Sequence, residues 1–204
     1  GLVGSEMCIR DRQEIALIFA HANEHIQRVI VLGSQMGIRV GPSELFDLKW
    51  TDIDIKNSVI HLRAAKKNRI EPLRDIPIRK TLIKELQSWR DADKMSGIEH
   101  VIHFKGKPIR TIHVGWRAAL KRAGINRKIR PYDLRHAFAT EAIAAGADIG
   151  TVAKLMGHTS LTMVLKHYQH VLDSQKLAAV EAIPEPQYVA KNMWQSAPNS
   201  TISQ

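Results

Sequence analysis

In the stretch GHTSLTMVLKHYQHV, Gly157 to Val171, a histidine precedes a tyrosine by ten residues, roughly three helical turns. A tyrosine in such a place is either a core aromatic or a hydroxyl placed to react, and a histidine is a group able to move a proton. Gly157 can take the left-handed cap of a short helix over Thr151–Met156, and Thr159 or Ser160 can N-cap the next helix. His158 is then pinned in the turn with its ring reaching outward. Two arginines stand at similar junctions. Arg39 lies in a loop just past Gly37, before Pro42 opens a new short helix, and its fork of donors suits bidentate grip of a phosphate. Arg135 borders an apolar stripe of Leu134, Phe138, Ala142 and Ala145, with His136 pointing away from that stripe. An arginine on such a border must snorkel, pair or receive an anion, and few acids lie nearby in sequence.

Each of these residues also has a plain structural reading. Arg39 alone is a surface loop arginine, and a histidine in a capped turn is commonly structural. Leu161, Val164, Leu165, Tyr168 and Leu172 share one helical face, which by periodicity makes Tyr168 a core aromatic. The segment from Thr151 to Tyr168 also has the helix, glycine turn and second helix of a helix-turn-helix, so a DNA-binding regulator fits it too.

Composition narrows the class. The 204 residues are 44% hydrophobic and 25% charged, enough for one well-cored domain plus appendages and too few for a large multidomain machine. Thirty Lys+Arg against twenty Asp+Glu give a net charge of +10, which favours a polyanionic partner. Between Lys105 and Arg135 there are ten Lys/Arg and one acid, Asp133, a distribution that points to phosphate binding within a folded segment. No apolar run approaches the roughly 18 residues of a membrane span, and no signal-peptide core is present, so a cytoplasmic protein is expected. Cys8 is the only cysteine, and neither His100 with His103 nor His167 with His170 has a carboxylate-rich partner set, so no metal is expected.

The elements that must position these side chains are legible in outline. Residues 1–12 match no later pattern and read as a non-native leader. Helical periodicity begins near Gln13, with Ile26, Val29, Ile30 and Gly33 on one face and Gly37 as cap. Alternation at Ile53/Ile55, Ile60/Leu62/Ala64 and Ile76/Ile78 predicts a small antiparallel sheet with polar turns at Lys56–Ser58 and Lys66–Arg69. From Lys80 onward the pattern is mostly helical to about Ile183, interrupted by the strand-like run HVIHF at His100 to Phe104, and the Pro-containing polar end reads as a mobile tail. The fold class is therefore α+β, mostly helical, with a small antiparallel β-sheet near the N-terminal third.

Taken together, these segments resemble the catalytic domain of the tyrosine recombinases, the phage integrase family. MGIRVGPSELFDLKWTDIDI is similar to the first arginine box, AAKKNR to the hairpin lysine, RPYDLRHAFATEAIAAGADIGTVAKLMGHTS to the second arginine box with its Gly-His turn, and HYQHV to the nucleophile segment. The resemblance implies that Arg39 and Arg135 are the catalytic arginines, Lys66 (or its neighbour Lys67) the hairpin lysine, His158 the turn histidine and Tyr168 the nucleophile. Glu44 matches the acid supporting the first arginine, with Gly41 and Pro42 lengthening the usual gap. Tyr132 stands where the family has the histidine of His-x-x-Arg, and a phenol there can donate to a phosphate oxygen but is a poor base near neutral pH.

The resemblance further implies a catalytic domain over 13–174, followed by a C-terminal helix and tail over 175–204. The family's N-terminal core-binding domain finds no room here, so the chain is expected to be a fragment. The implied activity is site-specific recombination of double-stranded DNA through a 3′-phosphotyrosyl intermediate, by a homotetramer, without metal or nucleotide cofactor. A type IB topoisomerase-like nicking-closing enzyme shares that chemistry and stands as the alternative beside the non-catalytic regulator.

Overall fold

The computed structural model describes residues 3–62, 65–66, 69–70, 74–158, 162, 165, 168–169 and 176–184. Helix α1 runs Val3–Ala20 and α2 runs Glu24–Met36. Five short strands follow: β1 Ile53–Asp54, β2 Val59–Leu62, β3 Ala65–Lys66, β4 Arg69–Ile70 and β5 Arg74–Pro77. Helix α3 spans Lys80–Met95, the β6–β7 hairpin pairs His103–Phe104 with Lys107–Pro108, and α4 spans His113–Arg122. Helix α5 covers Asp133–Ala144, α6 Ile149–Met156 and α7 Lys176–Glu181. Thr162, Leu165, Tyr168 and Gln169 are also helical. Among the described residues, no helix is long and apolar enough to cross a membrane.

The expected α+β architecture is present. Helix α2 buries Ile26, Val29, Ile30 and Gly33 as its periodicity requires, and Gly37 ends it at φ 65°. That left-handed cap is reserved for glycine twice over, because a Cβ there would also collide with the Phe138 ring. The sheet has the order β1-β2-β5, with Ile53 opposite Ile60 and Ile60 opposite Ile76, all buried. In the same register Leu62 faces Arg74. Since side chains alternate along a strand, Arg74 falls on the same face as buried Ile76 and is carried inward.

Three local readings differ from the sequence expectation. Helix α1 begins at Val3 instead of near Gln13. Residues 42–47 form turns and not a helix: the Leu45 amide returns to the Arg39 carbonyl and the Phe46 amide to Gly41. Helix α5 buries Leu134, Arg135, Ala139 and Ile143, while Phe138 and Ala142 are half-buried. The reason is that α5 packs against α1 and α2 on one side and α6 on the other, so no single stripe describes it. The expected mobile tail beyond residue 184 lies outside the described residues.

A buried ion pair ties α2 to α3. Arg28, 2% exposed, donates to both oxygens of Asp93 at 2.6 and 3.0 Å, and also to the Val101 carbonyl at 3.0 Å. Trp50 Nε1 donates to Asp93 at 2.9 Å, and His103 Nε2 lies 3.1 Å from it. Removing one member strands a buried charge, so Arg28→Met should cost about 3–5 kcal/mol, whereas Arg28→Met combined with Asp93→Leu should recover most of it. Urea unfolding followed by circular dichroism measures both.

Candidate active site

The site grows from the C-terminus of α6. Asp148 caps the start of this helix by accepting from the Thr151 amide, and Gly157, at φ 65°, ends it. The Gly157 amide returns to Lys154 and the His158 amide to Ala153, which leaves the Met156 carbonyl pointing out of the helix end. Two guanidinium groups converge on that carbonyl: Nη1 of Arg74 at 3.2 Å and Nη2 of Arg135. The positive φ favours glycine at 157, and a Cβ there would fall on Arg74 Nη1 and displace that end of the side chain. Cations at a helix C-terminus also meet the negative end of its dipole.

Arg135 is 0% exposed and reaches in two directions, donating through Nη1 to the Gly37 carbonyl at 2.8 Å and through Nη2 to Met156. One side chain thereby fixes the turn before Arg39 to the turn before His158. Burial first, then the charges of Arg74 and Arg39, lowers its pKa to about 10, with Glu44 acting in the opposite sense. It remains a cation at neutral pH.

Glu44 is the acid of the cluster and is 4% exposed. Its carboxylate accepts from the Arg39 amide at 3.0 Å, lies 3.9 Å from Arg39 Nε, and accepts from Arg74 Nη2 at 2.8 Å. The long Arg39-to-Glu44 gap is absorbed by the 42–47 turns. Arg39 itself is 43% exposed in its side chain, so its guanidinium is open to a ligand. Among the described residues, the buried Nε atoms of Arg39, Arg74 and Arg135 donate to nothing. Three guanidinium groups around one carboxylate leave an excess of two positive charges, in a setting where unpaired charge is costly.

His158 sits among these cations. Burial, then the charges of Arg135, Arg39, His136 and Arg74, holds its pKa below 6.5, so the ring is neutral at pH 7. Tyr168 is 4% exposed and packs with Ala139, Ile143, Val152, Ala153 and Met156. Its hydroxyl meets His136 Nδ1 at 2.8 Å. Burial first, and then Tyr132, pushes the hydroxyl's pKa up to about 12, while Arg135 pulls against the rise. Tyr132 precedes α5, is 37% exposed, and sets its ring edge-on to His136 with centroids 4.9 Å apart.

Arg39, Tyr132, Arg135, His158 and Tyr168 are thus brought to one neighbourhood through direct bonds or mutual electrostatic influence. Lys66 lies in β3, paired with Arg69 of β4, and its side chain lies outside the described residues, as does Lys67. Two participants were missed in the sequence. Arg74 is visible only through the β2–β5 register, and His136 was assigned an outward direction from a stripe that α5 does not follow. Among the described residues, no three His, Cys, Asp or Glu side chains are grouped to hold a metal ion.

The phage integrase family model matches residues 11–175. A tyrosine recombinase of Thermosipho africanus is 34% identical over 170 residues, covering 81% of this chain and 56% of that protein. Tyrosine recombinase XerC of Staphylococcus epidermidis RP62A is 32% identical over 171 residues, covering 82% and 51%. The crystal structure of XerA recombinase superposes with TM-score 0.66 at 22% identity, covering 84% of this chain and 64% of that one. For the catalytic domain of bacteriophage HP1 integrase the values are 0.59, 19%, 85% and 93%. At these identities the solved structures establish a shared fold. The chain spans about half the length of the curated relatives it matches.

The depressed pKa of His158 has a measurable sign. In the unfolded chain the imidazole returns toward 6.5, so as pH falls below that value the unfolded state binds the proton first. Stability contributed by neutral His158 is therefore full above about pH 6.5 and is lost as pH falls through the folded value. His158→Gln should lose less stability than the unmodified chain between pH 7.5 and pH 5.5, measured by urea unfolding at both.

Proposed function

The chain belongs to the phage integrase family, and from that premise we propose that it is the catalytic portion of a site-specific DNA recombinase that cuts and rejoins strands through a 3′-phosphotyrosyl bond. The observation that carries the reading is the charge balance of the site. Among the described residues, Arg39, Arg74 and Arg135 surround one carboxylate, Glu44, an excess of two positive charges. A phosphodiester attacked by tyrosine passes through a pentavalent state whose non-bridging oxygens gather about that much negative charge.

In this reading Arg39 and Arg135 bind the two non-bridging oxygens. Arg135 spends one donor on each of two carbonyls and keeps its Nε and second amino hydrogens for the phosphate. Tyr168 attacks phosphorus, and the bond energy is kept in the phosphotyrosyl linkage until another 5′-hydroxyl displaces it. Lys66 protonates the leaving 5′-oxygen, while neutral His158 and Tyr132 donate hydrogen bonds to the phosphate.

DNA as partner is supported by the basic run from Lys105 to Arg135 and by a solved relative, the Tn1549 transposon integrase in complex with circular intermediate DNA, whose fold matches with TM-score 0.62. The proposal extends to four protomers working in pairs, in the cytoplasm. Val180 and Ile183, 65% and 67% exposed around α7, offer apolar surface that a neighbouring protomer can cover.

The test uses a pool of nicked duplexes of randomised sequence, from which DNA that stays attached to the protein in detergent is recovered. An adduct should form with the unmodified chain and vanish in Tyr168→Phe. Arg39→Ala should slow its formation roughly 10²–10³-fold, the typical worth of one transition-state donor. An adduct that survives in Tyr168→Phe removes the nucleophile assignment. No adduct from any duplex removes the recombinase reading in favour of the DNA-binding regulator.

A further inference from the structure

We infer that His136 is the base that takes the Tyr168 proton as the hydroxyl attacks phosphorus, an assignment that rests on the recombinase reading above. The contact is direct, 2.8 Å between Nδ1 and Oη. With the ring proton on Nε2, Nδ1 accepts from the hydroxyl, which is the arrangement a proton transfer needs. The ring is also held in place. Tyr132, one helical turn earlier in the chain, packs edge-on against it, and Tyr168 lies on another side with centroids 6.1 Å apart.

The need for a base follows from the site. Tyr168 is 4% exposed, so bulk water reaches its hydroxyl poorly. With burial pushing the pKa to about 12, the tyrosinate is scarce at neutral pH, and the proton must leave during the attack. The position where the family resemblance would supply a histidine holds Tyr132, and a phenol is itself protonated at neutral pH. His136, four residues on and in contact with that phenol, supplies the missing imidazole.

The groups that face His136 come from several elements. Tyr132, Asp133 and Arg135 lie on or next to α5, and Tyr168 is its hydrogen-bond partner. Glu14 of α1 and Arg127, which pair with each other, line the cavity behind the ring together with Asp133. His158 lies near enough to feel its charge. The step balances as follows: the Oη–H bond breaks and its proton passes to Nδ1 while the Oη–P bond forms. The P–O5′ bond then breaks with its electron pair on the 5′-oxygen, which takes a proton from the acid assigned to Lys66. On rejoining, the attacking 5′-hydroxyl gives its proton back to Lys66 as the O5′–P bond forms, the P–Oη bond breaks, and the imidazolium returns its proton to Tyr168.

The test follows single-turnover cleavage of the nicked duplex recovered from the pool, from pH 5 to 9. His136→Asn keeps an acceptor oxygen near the Nδ1 position but removes the base. The unmodified chain should show an inflection in the imidazole range. His136→Asn should bind the duplex with unchanged affinity, lose that inflection, and cleave at least ~100-fold more slowly at pH 7. A duplex with sulfur in place of the leaving 5′-oxygen, which needs no proton to depart, should leave the His136→Asn defect in place. His136→Asn cleaving at the unmodified rate with the inflection intact would overturn the assignment, as would rescue by the sulfur duplex. If His136→Asn does not fold, the profile of the unmodified chain decides, since a flat profile between pH 5 and 8 also overturns it. Absence of any adduct from the unmodified chain instead sinks the recombinase reading, so the two failures are separable.

Discussion

The carbonyl oxygen of Met156 receives donors from two arginines, half-buried Arg74 and wholly buried Arg135, and the rest of the site depends on that meeting. It is an orphan group of the α6 C-terminus, exposed because Gly157 turns the chain left-handed. Arg135 links it to the Gly37 carbonyl at the end of α2, and Arg74 links it to Glu44. Glu44 in turn holds the backbone of Arg39. Four segments far apart in sequence are therefore registered by side chains that bridge helix ends. Loss of either glycine would disturb this, because each has a side chain of another element lying where its Cβ would be.

The same contacts determine the chemistry. Gathering three guanidinium groups around one carboxylate, with Arg135 wholly buried and Arg74 partly so, is unfavourable until an anion arrives, and partial desolvation makes those donors more effective toward developing charge. Burial and, after it, the positive surroundings keep His158 neutral, and burial keeps Tyr168 protonated. Nucleophile and phosphate donors thus respond oppositely to one environment: the arginines remain charged, and the phenol needs a neighbour to ionise.

Much of this was legible in the sequence wherever local rules decide the outcome. The Gly37 and Gly157 caps, the isoleucine alternation of the sheet and the burial of Tyr168 follow from short-range periodicity and backbone preference, whereas Leu165, expected on the same face as Tyr168, is 37% exposed. Tyr168 is both the buried aromatic that its spacing demands and a hydroxyl in contact with the site, so packing and reactivity do not compete. What escaped the sequence depends on pairings across the chain. Arg74 turns inward only because β5 pairs with β2 in one register, and Arg135 is wholly buried because α5 is wedged between α2 and α6. The same wedge turns His136 toward Tyr168. Pro42 promised a helix start, but the Arg39 and Gly41 carbonyls capture the amides of Leu45 and Phe46 and close turns instead.

The most direct test of the central claim is a crystal structure of the protein on a nicked duplex with orthovanadate at the nick, since vanadate adopts the pentavalent geometry of the attacked phosphate. The account predicts Tyr168 Oη as one apical ligand, with Arg39 and Arg135 donating to equatorial oxygens and Met156 still held by Arg74. Vanadate bound away from Tyr168, or equatorial oxygens with neither arginine in hydrogen-bond reach, would contradict it.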